Sequence, residues 1–381
     1  MSDIKICVNA LSLQPNHKGG AESVFLNLAK GFRSQGYAKN ITYFCYPEMA
    51  EAVKKITSES KVIIIENLIN EKHARISAEI VQTKVFHRIY KKYKFDVILF
   101  ANSEVGLFKY NVPTVVIPHD IQNVSRPEIN KSKFQYYLNY FSYRSCFKNI
   151  DKIIAISNED KKDIEKHYDF SKNKIVKIYD PLDISEDKIR HVSTKQEYIF
   201  AVNIQYEHKN IDTLIKAFSI FSKRNPTYKL YLAGAKNNHT DKLEKLVNQL
   251  NLSEKVVFLG FVDKEKLLDY WSKTKLYVNP SLFEGFGMTS VESIIYGAPT
   301  LLGDLKIKRE VTDGLCTYYE DLKNPIELAE EMEKMIKEKY DEDIYMERAK
   351  KIAKKYNLKE ISKQYINLLL KLSMRNNECE K

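Results

Sequence analysis

The sequence predicts an α/β protein of two successive domains, each built on a parallel, doubly wound sheet. Three observations carry this reading. The chain has 381 residues, more than one hydrophobic core usually serves. Short apolar runs alternate with stretches of helical period, as when strands are joined by crossover helices. The alternation stops once, in a polar stretch near the middle, and then restarts.

In chain order, Ile4–Ala10 reads as a strand and Ala21–Gln35 as a helix. Ile41–Cys45 and Val62–Ile65 are short β-rich runs, and Ala74–Tyr93 has a helical pattern. Val97–Phe100, Thr114–Ile117 and Lys152–Ile156 read as strands, with Phe134–Phe147 helical between the last two. Tyr179–Lys195 holds Pro181 and scattered charges without apolar periodicity, so it is the expected linker. The second series has strands at Tyr198–Val202, Lys229–Ala233, Val256–Leu259, Leu276–Val278 and Thr300–Leu302. Its helices are Asn210–Phe221, Lys242–Leu250, Pro325–Lys337 and Ile344–Lys355. The expected domains are therefore residues 1–180 and 196–358, with a last helix, 359–373, crossing back onto the first. No short-period repeat is visible.

Composition narrows the function classes. Hydrophobic residues make up 44% and charged residues 29%, as in ordinary globular proteins. No run of eighteen apolar residues exists, so no transmembrane helix is expected. The start, Met1–Val8, lacks the basic and long apolar regions of a signal peptide, and a cytoplasmic location is expected. Cys7, Cys45, Cys146, Cys316 and Cys379 are scattered without metal-ligand spacing and read as free thiols. The net charge of +11 suits an anionic partner. Zinc, ribonucleoprotein and helix-turn-helix patterns are absent, so nucleic acid is not the expected partner. Basic and aromatic residues interleave in Lys84–Lys94 and Lys131–Lys148, which suits a helix resting on the anionic inner face of the cell membrane. The competing reading places the aromatics in the core and leaves the lysines as a solvated face.

The strongest chemical signal runs from Pro280 to Pro299. A strand end leads into Phe283-Glu284-Gly285-Phe286-Gly287, then a helix from Met288 that carries Thr289 and Glu292. Backbone amides at such a helix start favour anions. Gly285 and Gly287 allow close approach of the backbone to a ligand. Glu284 and Glu292 can grip two separate sets of hydroxyls, as a nucleotide sugar offers; the alternative is two glutamates flanking a structural turn. Three further candidates follow strands: the glycine pair of His17-Lys18-Gly19-Gly20, the His119-Asp120 pair, and His208-Lys209-Asn210 before a helix. His119 could instead be an ordinary core histidine. Asp120 could orient it or cap the next loop. Gly234 ends a strand, in a tight turn or along a nucleotide pocket.

The 280–299 segment resembles the Glu-x7-Glu motif of retaining glycosyltransferases with the GT-B fold, in particular family 4. That resemblance implies two Rossmann-like domains facing each other across a cleft. It assigns Glu284 to the donor sugar and Glu292 to the ribose, with Gly285, Phe286, Gly287, Met288 and Thr289 lining the same site. Gly19 and Gly20 match the Gly-Gly-x-Glu loop opposite the donor domain, and His119 the histidine near the donor sugar. Lys209 matches the lysine on the donor diphosphate. The arginine many members carry beside it is missing: Ile204, Gln205 or Tyr206 stands in its approximate place. Part of the stabilisation of the leaving group is then expected from elsewhere: from His208, from the helix start near Met288, or from a residue outside these motifs. The expected catalytic set is His119, Lys209 and Glu284.

The activity implied is transfer of a hexose from a nucleotide-diphosphate sugar to a saccharide or lipid-linked saccharide, in surface polysaccharide assembly such as capsule or O-antigen. Retention at the anomeric carbon follows from the family. Without an Asp-x-Asp at a strand end, no metal and no cofactor are expected. The alternatives are an inactive nucleotide-sugar-binding subunit, or a sugar phosphorylase or epimerase on the same fold.

Overall fold

A computed structural model describes residues 4–13, 20–68, 74–184, 189, 192, 194–203 and 205–379. They fall into two units, one running to Asp183 and resuming at Tyr356, the other Ile184–Lys355. The first contains β1 (Ile6–Asn9), α1 (Gly20–Ser34), β2 (Ile41–Cys45), α2 (Pro47–Ile56), β3 (Lys61–Ile64), α3 (Ala74–Ile80) and α4 (His87–Tyr90). It continues with β4 (Val97–Phe100), β5 (Thr114–Val116), α5 (Gln122–Ser125), α6 (Lys133–Asn149), β6 (Lys152–Ala155), α7 (Asn158–His167) and β7 (Ile175–Lys177). The second contains β8 (Gln196–Val202), α8 (Ile211–Arg224), β9 (Lys229–Ala233), α9 (Thr240–Gln249), β10 (Val256–Gly260), α10 (Lys264–Lys273) and β11 (Thr274–Asn279). It ends with α11 (Met288–Ile295), β12 (Thr300–Gly303), α12 (Lys306–Val311), β13 (Thr317–Tyr319), α13 (Pro325–Lys337) and α14 (Glu342–Lys355); α15 (Leu358–Cys379) belongs to the first unit.

Both sheets are parallel. Their strand orders are β3-β2-β1-β4-β5-β6-β7 and β10-β9-β8-β11-β12-β13. In each, the winding reverses once, between β1 and β4 and between β8 and β11. Ligands of such sheets bind outside the carboxyl ends of the strands at that reversal. The fold class is thus the predicted one, two Rossmann-like domains.

Burial explains the elements. In α1, Val24, Phe25, Leu28, Ala29 and Phe32 are buried at helical spacing, with Glu22 in the first turn and Arg33 in the last. Each of the larger of these side chains, Val24, Phe25, Leu28 and Phe32, contributes about 1.5–3 kcal/mol. Phe44, Phe86, Phe100 and Tyr110 centre the first core. Ile199, Leu214, Phe218, Val278 and Met332 lie in the second. Helix α15 buries Ile361, Tyr365, Ile366 and Leu369. It packs so closely on α1 that a Cβ on Gly31 would collide with Ser362.

Two sequence expectations need correction. Ala74–Tyr93 is not one α-helix: between α3 and α4 the chain makes a π-turn over Val81–Phe86. That widened turn accompanies a fully buried amide pair, in which Asn9 Nδ2 donates to Gln82 Oε1 (2.8 Å) and Gln82 Nε2 to Asn9 Oδ1 (3.2 Å). The aromatics of α6 also divide. Tyr143 and Phe147 are core, but Phe134, Tyr137 and Phe141 are exposed along one outer stripe. The expected linker falls partly on residues outside the described set; its start, Tyr179, packs edge-on against Tyr356 at 5.4 Å. No helix among the described residues is long and apolar enough to cross a membrane.

Candidate active site

In the second unit, the loops leaving β8 and β11 are tied together at the reversal of the sheet. Asn210 takes the left-handed conformation (φ 57°) that asparagine tolerates. Its amide nitrogen donates to Pro280 O (3.1 Å) and Leu322 O (2.6 Å), and its oxygen accepts from Thr213 (2.8 Å). The Leu282 N–H donates to His208 O (2.9 Å). This stitching brings Lys209 Nζ to 2.7 Å from Glu284 Oε2, with only 9% of the Glu284 side chain exposed.

Asn279, the last residue of β11, organises the next shell of contacts. Its side chain donates to Ser290 Oγ (3.1 Å) and Glu284 Oε1 (3.4 Å) and accepts from the Ser281 N–H (3.1 Å). Burial by itself would raise the Glu284 carboxyl. The Lys209 and Lys308 ammoniums, with the hydrogen bond from Lys209, override this and hold it at about 2. Glu284 is therefore an anion throughout the physiological range.

Gly287 (φ 92°) makes the turn into α11, where a side chain would be strained. Gly287 has no side chain with which to cap that helix start. Further along α11, burial pushes Glu292 up to about 7 against the opposing charge of Lys264. The two glutamates of the motif thus have opposite tendencies, one fixed as an anion and one ready to hold a proton. Gly285 is half-buried and Phe286 buried. The His208 ring stacks on Phe283 (4.4 Å) and under Tyr206 (5.8 Å). Burial and the Lys209 charge lower its pKa to about 4, so it is neutral at pH 7. Gly234 (φ 145°) donates its N–H to Gly260 O (2.8 Å), which carries the pairing of β9 with β10 one residue past the end of β9.

In the first unit, Gly19 lies outside the described residues, and Gly20 is the exposed first residue of α1. His119 follows β5 in the left-handed region (φ 64°), a strained position for a residue with a Cβ. Its Nε2 is 2.9 Å from Ala101 O. A carbonyl only accepts, so Nε2 carries the hydrogen. Burial lowers the ring to about 4, which leaves Nδ1 of the neutral ring as an acceptor. Asp120 accepts from the Gln122 N–H (3.1 Å) and so caps the following turn. Gly20, His119 and Asp120 belong to one unit, and Lys209, Glu284 and Glu292 to the other. Sequence reasoning missed Asn279 and Lys308, neither of which belongs to a motif with its own signature.

Comparison with known proteins matches this division. Residues 18–186 match the model described as Glycosyltransferase Family 4, and residues 183–356 the model described as Glycosyl transferases group 1. The chain belongs to glycosyltransferase family 4. It is similar to the O-antigen chain mannosyltransferase RfbU of Salmonella typhimurium, 29% identical over 51% of this chain and 52% of that protein. The chain therefore spans about half the length of that relative. An uncharacterised glycosyltransferase of Methanocaldococcus jannaschii is 27% identical over 72% of this chain and 75% of its own. Among solved structures, Anabaena HepE in complex with UDP and glucose superposes with a TM-score of 0.74 at 17% identity, covering 97% of this chain and 100% of that one. WaaG, a glycosyltransferase involved in lipopolysaccharide biosynthesis, gives 0.70 at 14% identity, covering 96% and 99%. At such identities the structures show the fold, which is GT-B.

Proposed function

We propose that this family 4 chain is a retaining hexosyltransferase that takes its sugar from a nucleotide diphosphate and adds it to a saccharide or lipid-linked saccharide during surface polysaccharide assembly. The observation that carries the proposal is the buried Lys209–Glu284 pair at the strand reversal of the second unit. A permanently ionised carboxylate suits sugar hydroxyls, and the ammonium beside it suits a departing diphosphate. The bond from the anomeric carbon to the diphosphate oxygen breaks while the acceptor oxygen bonds to the same face. The acceptor's proton passes to a diphosphate oxygen. His119, neutral with Nδ1 as acceptor, holds a sugar hydroxyl, and Glu292 holds the ribose hydroxyls. Gly19, Gly20, Asp120, His208, Gly234, Gly285, Phe286, Gly287, Met288 and Thr289 complete the binding surface in this reading. No metal takes part.

The test is product analysis with GDP-mannose and UDP-glucose over a panel of saccharide and polyprenyl-linked acceptors, with EDTA present. An α-linked product by NMR, formed in EDTA and lost in Glu284→Gln, is expected. A β-linked product would overturn retention, and loss in EDTA restored by magnesium would overturn metal independence. Donor consumption without acceptor would favour a phosphorylase or an epimerase.

The same proposal seats the enzyme on an anionic bilayer from the cytoplasm, through the first unit. The exposed Phe134, Tyr137 and Phe141 carry it, beside the exposed Lys131, Lys133 and Lys148. Isolated aromatic exposure is ordinary, but a stripe on one helix beside lysines suits a lipid surface. Sedimentation with phosphatidylglycerol vesicles at low salt should pellet the wild type and leave a Phe134→Ser, Phe141→Ser variant in solution; equal sedimentation of the two would remove the stripe from the proposal.

A further inference from the structure

We propose that Lys308 is a positioning residue of the donor site: it pins the backbone that delivers Glu284 and supplies the surplus positive charge that attracts the diphosphate. This rests on the reading of Lys209 and Glu284 as donor-binding groups. Lys308 lies on α12 and is fully buried. A buried ammonium is costly unless acceptors surround it. Its Nζ donates to Asn279 O (2.8 Å) and Ser281 O (3.2 Å), the carbonyls on either side of Pro280. The chain leaving β11 is thereby fixed just ahead of Glu284. Gly303, at the end of β12, lies beside this lysine: a Cβ there would collide with Leu322 Cδ2 (2.5 Å) and touch Lys308 Nζ at ordinary contact distance (3.6 Å).

The charge count points the same way. Lys209 and Glu284 form a 2.7 Å pair that sums to zero. A neutral pair has little attraction for a diphosphate anion. Among the described residues, further titratable groups that act at Glu284 include His208, Tyr277 and Lys308. His208 is neutral at pH 7, and burial keeps the Tyr277 phenol protonated. The Cys316 thiol beside Lys308 is pushed up to about 12 by burial and is neutral too. Lys209 then balances Glu284, and the charge beyond that pair is the one Lys308 carries when protonated. Burial lowers Lys308 to about 7 although Glu284 pulls it upward, so near neutral pH it is only partly protonated, and an arriving diphosphate draws it to the ammonium form.

The experiment compares wild type, Lys308→Met and Lys308→Gln in the full chain. Folding is checked by circular dichroism and melting temperature. Binding of GDP and UDP, and of guanosine and uridine, is followed by saturation-transfer NMR. Loss of the charge should weaken the preferred diphosphate by at least about tenfold and leave its nucleoside unchanged. The Gln variant keeps shape and one donor, so it covers the case in which Met fails to fold. Unchanged diphosphate affinity in either folded variant would overturn the inference. Equal weakening of diphosphate and nucleoside would reduce Lys308 to a structural lysine and overturn it as well. A wild type that binds none of the four would instead overturn the donor site itself.

Discussion

The two sheets reverse in the same way, yet they dress the reversal with different chemistry. Between β8 and β11, Lys209 pairs with Glu284, and Lys308 adds a positive charge beside that carboxylate when it is protonated. Between β1 and β4, the buried groups are the neutral amides of Asn9 and Gln82, joined by Ser12. One arginine there meets two glutamates: Arg75 faces Glu104 at 3.7 Å, donates to Ser103 and Ser142 (both 3.0 Å) and lies over the Tyr143 ring, while Glu79, its carboxyl raised by burial, accepts from Ser142 and from the Gly106 N–H. The same topology therefore holds charged groups at one reversal and a buried neutral amide pair, closed on itself, at the other. Of the two, the charged reversal is the one that suits the diphosphate of the proposed transfer.

The sharpest way to break this comparison is Glu284→Gln. It removes the anion and leaves two lysines unbalanced. We expect kcat to fall by about 100- to 1,000-fold, read in the transfer assay, with nucleoside diphosphate binding kept or tightened. Diphosphate binding that is lost along with turnover would show that Glu284 serves the fold and not the sugar.

Gln82→Ala probes the other reversal and should act on stability instead. It strands Asn9 in a fully buried place, at a cost of about 1–3 kcal/mol, visible in urea unfolding of the first unit. Nucleotide affinity should not change; a parallel loss would mean that the two reversals do not act separately.

The smallest effect separates the two glutamates by pH. The carboxyl of Glu284, held at about 2, lends stability that is complete above the ordinary value of 4.5 and fades as pH falls toward 2. Glu292, raised to about 7, behaves oppositely: the fold keeps a proton that the unfolded chain has released, so stability declines as pH rises from about 4.5 to 7. Melting curves of Glu292→Gln should show a shallower decline, since Asp180, also raised by burial to about 7, contributes in the same window, and should retain the acid limb. A decline that is undiminished in Glu292→Gln would assign it to other groups.

Much of the fold was legible because strands declare themselves locally. Ile41–Cys45, Val97–Phe100 and Lys229–Ala233 are short apolar or β-branched runs bounded by polar residues, and they form strands with those limits. The segment 280–299 was legible as a loop leading into a helix because two glycines and a closing Gly-Ala-Pro mark its ends. Long-range pairing was not. Lys209 and Glu284 are 75 residues apart, and long-range bonds from Asn210, Leu282 and Lys308 set their distance. Lys308 stands among Lys306 and Arg309 on a short helix, and the sequence does not distinguish a buried lysine from a solvated one. In α6 nearly every second residue is aromatic, so periodicity cannot separate the core face of Tyr143 and Phe147 from the outer stripe. The π-turn at Val81–Phe86 is invisible for a related reason: helix propensity does not encode the one-residue widening that Gln82 exploits.

The return of α15 to the first unit has a consequence for biosynthesis. Ile184–Lys355 is one uninterrupted stretch and can complete its sheet as soon as it leaves the ribosome. The earlier-made unit must wait for a segment that begins only at Tyr356. Until then α1 presents Phe32 and the bare backbone at Gly31, the surface that Tyr365 and Ser362 later cover. The order of synthesis and the order of completion are thus inverted. A nascent chain stalled before Tyr356 would hold its nucleotide-side unit finished while the older half still exposed a groove open to chaperones and to other chains.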